Sequence, residues 1–167
     1  MITAELVREL LEYSPETGLF RWKERPSRSS WKAIWPGKVA GSLDSKGYLR
    51  FQVAGRTHKA HRLAWLYVHG EWPKGEIDHI DGDRSNNAIA NLRVATARQN
   101  QQNKTAKVNA SGFRGVSKMG RKWRALVTIN GRRTHVGIFD TPEAASAAYE
   151  AAAAEHYGEF AYKGRSA

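Results

Sequence analysis

Between Gln101 and Gly112 the chain carries almost no apolar side chain, and this gap constrains the fold more than any other feature. A segment with nothing to bury cannot cross a core, so the apolar residues on its two sides must fill separate cores. The linker is placed at 104–111, between an N-terminal region 1–103 and a C-terminal region 112–167. Divided this way, 167 residues make two small units, each with a thin core. There is no cysteine, so neither unit is held by disulfides, and thiol catalysis and cysteine-bound zinc are excluded too.

In the N-terminal region, Thr3 to Leu11 reads as a short amphipathic helix capped by Thr3, with Leu6, Val7, Leu10 and Leu11 as its apolar stripe. Leu19 to Lys23 alternates at strand period, and Pro26 to Trp35 reads as a loop. Lys38 to Ser42, Tyr48 to Val53 and Thr57 to Lys59 follow as strands of an antiparallel meander that completes residues 1–59. Residues 60–103 open with a helix over Ala60 to His69, ended by Gly70. Strand, loop, strand and helix then follow: Ile77 to Ile80, a turn at Gly82, a return over Ala88 to Val94, and a helix behind Thr96. In the C-terminal region, Phe113 to Ser117, Lys122 to Ile129 and Arg133 to Phe139 read as three strands, the last two joined by the hairpin pair Asn130-Gly131. Thr141-Pro142 starts an alanine-rich helix to His156. The fold class is α+β: a meander with a ββα core, then a three-stranded antiparallel sheet packed on one helix.

The formal net charge of +11 and a pI near 10.1 make an anionic polymer the leading partner. From Arg84 to His135 there are 12 Lys or Arg and no Asp or Glu, whereas Val136 to Ala167 holds 2 basic and 5 acidic residues. Nucleic acid is the expected ligand of the basic half. No apolar run approaches the roughly 20 residues of a membrane span, and the N-terminus lacks the layout of a signal peptide. A soluble cytoplasmic protein is expected, without a membrane partner.

One stretch of the basic half is chemically dense. Asp78 to Arg93 sets carboxylates, amides and His79 around the turn at Gly82. Phosphodiester hydrolysis needs a base to take a proton from water and a divalent ion to neutralise charge on the phosphate, and these residue types supply both. Adjacent strand residues face opposite sides, so Asp78 and His79 can share a task only at a distorted strand end. Asp81, Asp83 and Asn87 are read chiefly as hydrogen-bonding ties of the loop. Asp81 and Asp83 with Gly82 also suggest part of a calcium loop, but its closing glutamate is missing. Arg93 has two readings of equal weight, a phosphate contact or a bridge to a loop carboxylate.

From His61 to Asn103 the pattern Asp-His-x-x-Gly, then Asn-Asn-x-x-x-Asn-Leu-Arg, resembles the HNH nucleases, most closely the homing endonucleases encoded in phage introns. The resemblance implies a DNA endonuclease with a ββα-metal core. His79 would be the general base and Asn91 a supporting residue that orients it or stabilises the loop. Asp78 and Asn100 would be the metal ligands. Many members end the motif with a histidine; this chain has none between His79 and His135, and the oxygen-rich set suits Mg²⁺ or Mn²⁺ better than Zn²⁺. His61 precedes Arg62-Leu63 on an inward-packing helix and is read chiefly as structural.

Further on, Phe113-Arg114-Gly115-Val116, Lys122-Trp123-Arg124-Ala125, Val136-Gly137-Ile138-Phe139 and Glu143-Ala144-Ala145 resemble the Apetala-two/ethylene-response-factor DNA-binding domain. That resemblance implies a sheet that enters the major groove of double-stranded DNA, its helix behind. Strand alternation puts Trp123, Ala125, Val127 and Ile129 toward the helix. Arg114, Arg124, Arg133 and His135 are then candidates for groove contacts, and Lys118, Arg121, Lys122 and Arg132 for phosphates, with Arg93 beside the nuclease loop. Trp31, Trp35 and the basic residues of 25–38 are a candidate second contact. The expected activity is nicking by a monomer, with a dimer as the alternative. The rival readings are a non-catalytic DNA-binding regulator that retains the nuclease fold, and an RNA binder.

Overall fold

The computed structural model describes residues 2–24, 36–103 and 110–161. The expected loop with Trp31 and Trp35, and residues 104–109 of the expected linker, lie outside the described residues. The chain forms two compact units that divide between Ala97 and Arg98.

In the first unit, α1 (Ala4–Leu10) starts where expected: the Thr3 hydroxyl accepts from Leu6 N at 3.3 Å. Leu11, read from sequence as the end of that helix, instead opens β1 (Leu11–Tyr13), which pairs antiparallel with β2 (Phe20–Trp22). Its buried, exposed, buried alternation puts Leu11 and Tyr13 into the core, so burial wins over continued helix. The meander consists of β3 (Ser42–Leu43), β4 (Leu49–Val53) and β5 (Arg56–Lys59), in the spatial order of the sequence. The expected strand over Lys38 to Ser42 is divided because it serves two partners. Val39 bridges to Arg21 and Ala40 N donates to Phe20 O, whereas Ser42 pairs with Arg50.

α2 (Ala60–His69) buries Ala60, Leu63, Ala64 and Leu66 among Val7, Leu11, Phe20, Phe51 and Val53, one contiguous core. β6 (Glu76–His79) and β7 (Leu92–Ala95) form an antiparallel pair that sets Asp78 opposite Arg93 and His79 opposite Leu92. A single 3-10 turn, Ile89–Asn91, leads into β7, where the sequence suggested irregular strand. α3 (Ala97–Asn103) follows. The run β5–α2–β6–β7–α3 is the ββα-like core anticipated from the sequence.

In the second unit, β8 (Val116–Met119), β9 (Lys122–Ile129) and β10 (Arg132–Phe139) form one antiparallel sheet with β9 central. β8 starts three residues later than the apolar pattern predicts. The Ser111 hydroxyl bonds both Phe113 O and Val116 O and accepts from Phe113 N, holding 111–116 in a turn that competes with the ladder. Asn130 and Gly131 both have positive φ, as the hairpin pair requires. α4 (Pro142–Tyr157), capped by Thr141, covers the sheet. Ala125 and Val127 bury against Ala145, Tyr149 and Ala153, with Trp123 and Ile129 at the margin. A bulge between His135 and Gly137 lets Val136 and Phe139 both reach this core. No helix of the described residues is long and apolar enough to cross a membrane.

Candidate active site

The end of β6 and the loop to β7 carry the candidate catalytic residues. His79 is 5% exposed and Asp78 4% exposed, the last two residues of a strand whose continuation turns at Gly82. Their side chains go to different partners. Arg93, directly across the ladder, donates from Nε (2.9 Å) and Nη2 (2.7 Å) to Oδ2 of Asp78. Arg93 thus bridges to a carboxylate of the strand, where the sequence suggested one of the loop.

His79 faces Asn87. The Asn87 amide nitrogen donates to Ser85 O at 2.8 Å, which turns its oxygen toward His79 Nε2, 3.3 Å away. An amide oxygen only accepts, so Nε2 carries the hydrogen and the basic lone pair of the neutral ring lies on Nδ1. Burial pushes the His79 pKa below the usual histidine value, against the opposing effects of the Asn87 hydrogen bond and nearby aspartates. The ring is thus neutral and able to take a proton at neutral pH.

Asn87 is 1% exposed and held from behind. The buried Tyr13 hydroxyl donates to its carbonyl at 2.7 Å, and Ile89 N donates to Pro15 O at 2.9 Å. Burial pushes the Tyr13 pKa up to about 12, so this donor keeps its proton. Gly18, at φ +72°, lies so close that a Cβ there would be 2.2 Å from the Asn87 carbonyl carbon. The turn between β1 and β2 is therefore a backstop for the residue that orients His79. The sequence alone suggests Asn87 chiefly as a tie of the loop. The Asn86-Asn87 doublet was the available signal, but its two members do different work: Asn86 bonds Asp81, and Asn87 reaches the histidine.

Asn91 bonds within the loop. Its amide donates to Asp81 Oδ1 and to Asn86 O, both at 2.9 Å, and accepts from Asp81 N at 3.0 Å, so it stabilises the loop. Asp83 likewise accepts from Ser85 N at 2.9 Å and from the Ser85 hydroxyl at 2.8 Å. His61 packs edge-on against the His79 ring, centroids 5.0 Å apart, and Tyr48 flanks both rings. Burial, followed by the neighbouring His79, pushes the His61 pKa down to about 3.

Among the described residues no three His, Cys, Asp or Glu side chains gather closely enough to cage a metal. A single buried carboxylate is a poor site for zinc. It fits a hard cation that keeps most of its waters and takes further oxygens from a phosphate, as Mg²⁺ does. Asn100 stands half-buried on α3, in the second compact unit.

A family described as HNH endonuclease matches residues 58–102, the stretch that holds α2, the His79 loop and β7. An uncharacterised HNH endonuclease of Acanthamoeba polyphaga mimivirus is 33% identical over 130 residues, covering 76% of this chain and 68% of that protein. The chain belongs to the HNH endonuclease family. Protein 3.8 of Escherichia phage T7 is 38% identical over 120 residues, 70% of this chain and 96% of that protein. As an HNH nuclease the chain has DNA as its family's partner, and the family implies use of a divalent metal.

In the second unit, Arg114, Ser117, Arg124, Leu126, Thr128 and Arg133 line one hollow of the sheet. Lys122 pairs at the surface with Asp140, 3.2 Å. Lys118 lies opposite Trp123, and His135 opposite Leu126 beside the bulge. Arg121 and Arg132 are exposed next to the turns.

Proposed function

We propose that this HNH protein is a divalent-metal-dependent DNA endonuclease that nicks one strand at sites selected by its C-terminal sheet. The observation that supports it best is His79, buried at a strand end with Nε2 fixed by Asn87 and its neutral ring ready to accept a proton. In this reading His79 Nδ1 takes the proton of the attacking water. Asn87 keeps the ring in the tautomer that allows this, and Asn91 and Asp81 hold the loop that carries Asn87. Asp78 would hold Mg²⁺ or Mn²⁺, and the bound ion would neutralise charge on the scissile phosphate and leaving oxygen. Arg93 positions the Asp78 carboxylate, and its own contact to phosphate is part of this reading.

The C-terminal module is read as the part that chooses the site. Its outward face presents Arg114, Arg124, Arg133 and His135, with Lys118, Arg121, Lys122 and Arg132 around it as phosphate contacts. The likeness of its strands to the Apetala-two/ethylene-response-factor pattern favours duplex DNA read from the major groove. Tethering the two activities raises the local concentration of the nuclease at its site.

The test is plasmid nicking by the full chain with Mg²⁺. His79→Ala is expected to lower the rate by roughly 10²–10⁴-fold without loss of folding, the usual contribution of a general base. A regulator that keeps the fold without cutting is the second reading, favoured by the engagement of Asp78 with Arg93. Duplex binding with no cleavage under Mg²⁺ or Mn²⁺ would select it.

A further inference from the structure

β8 pairs with β9 only as far as Ala125, and Leu126 N is then met by the Gly115 carbonyl at 2.8 Å. Beyond that point the sheet edge opens into a hollow of about 370 Å³. Arg114, Arg124 and Arg133 line it from three different segments, together with Ser117, Tyr149 and Tyr157. The register accounts for their convergence: Ser117 faces Arg124 across β8–β9, Arg133 faces Thr128 across β9–β10, and Arg124 and Thr128 share a face of β9.

Three features of the hollow point to an anion. Among the described residues no aspartate or glutamate lines it, so three arginines share the hollow with no carboxylate in the wall. Their mutual repulsion is relieved by a bound negative charge. Arg124 Nε and the Ser117 hydroxyl are buried without a hydrogen-bond partner among the described residues, which leaves two groups able to donate unused in the wall. The aromatic rings do not offer a stacking platform: Tyr149 lies directly under Gly115, where a Cβ would be 2.3 Å from its ring, and the Tyr157 hydroxyl donates to Thr128 O. Guanidinium forks suit the oxygens of a phosphate better than a single base edge approached from three sides.

We propose that Arg114, Arg124 and Arg133 act together as a cradle for one phosphodiester group of the bound DNA, and not as three separate base readers. The proposal rests on the reading of this module as DNA-binding. A cradle fixes the register of the sheet on the backbone, so sequence choice must come from elsewhere on the face, with His135 and Leu126 nearest.

The experiment is duplex binding by the full chain without divalent ions, measured across salt for the preferred duplex and a scrambled one. Each phosphate contact adds a factor of about 3.5 to the affinity lost between about 50 and about 200 mM salt. Arg124→Gln and Arg133→Gln should each weaken both duplexes by the same factor. The double variant should lower the salt slope by about one contact in all, because both residues serve the same phosphate. Arg124→Lys, which keeps the charge, should keep most of the slope and controls for misfolding. Losses confined to the preferred duplex would mean base reading, and slope losses that add would mean separate phosphates; either overturns the cradle. If the unmodified chain binds no duplex, the DNA-reading role fails, and inorganic phosphate becomes the deciding probe. Saturable amide shifts at Ser117 and Arg124 that vanish in the double variant would keep the cradle, and their absence would end it.

Discussion

The loop of the first unit and the sheet of the second handle charge in opposite ways. Around His79 polar groups are tied to one another: Asp78 to Arg93, Asp81 to Asn86 and Asn91, Asn87 to Ser85, Tyr13 and His79. On the sheet, Arg124, Arg133 and His135 take their face from strand alternation, and the Lys122–Asp140 ion pair is exposed. The first arrangement holds a few side chains in a set geometry through hydrogen bonds within one loop. The second lines a hollow with positive charge and with no carboxylate among the described residues.

The contrast can be broken most forcefully at Arg93. Arg93→Ala leaves the buried Asp78 carboxylate without its guanidinium, and a loss of about 3 kcal/mol in folding stability is expected by urea denaturation. Asp78→Asn in the same background should recover part of it, because the stranded charge is what destabilises. Gly18→Ala comes next. The new Cβ has no room beside Asn87 and would sit at positive φ, so about 2 kcal/mol of stability should be lost, with the nicking rate falling alongside. Asn87→Ala is expected to slow nicking roughly tenfold and to move its pH profile, since the ring loses the partner that selects its tautomer. A shift in substrate affinity alone would argue against an orienting role.

His61 sharpens the comparison through pH. Its folded pKa of about 3 lies below the usual histidine value, so between about pH 6.5 and pH 3 the unfolded chain binds a proton that the folded chain refuses. Stability should therefore decline as pH falls through that window, by at most about 1.4 kcal/mol per pH unit from this residue. His61→Phe keeps the ring against His79 and should flatten the decline. At the other extreme, Lys122→Ala removes a surface ion pair and should change stability by no more than about 0.5 kcal/mol.

Much of this was legible in the sequence, for physical reasons that differ between elements. The helix over Ala60–His69 and the strand Lys122–Ile129 were read with their observed bounds, because each carries one clean period and stops at a glycine or a hairpin pair. Thr3 and Thr141 were found as caps because the hydroxyl meets donors within its own turn. What escaped was set by partners distant in sequence. Nothing local distinguishes Asn87 from Asn86; a tyrosine 74 positions away does. Likewise, Arg93 finds Asp78 only because β6 and β7 pair in one register, and the arginines of the hollow meet through the registers of β8, β9 and β10.

The glycine turn behind Asn87 bears on how this nuclease can be cut down or transplanted. The stretch shared with the HNH family, 58–102, contains the histidine and the amide that orients it but neither Tyr13 nor Gly18. A fragment limited to that stretch would carry the reacting groups without the wall they lean on. The shortest portable nuclease therefore begins upstream of α1, and grafts onto other DNA-binding modules should carry the first hairpin with them.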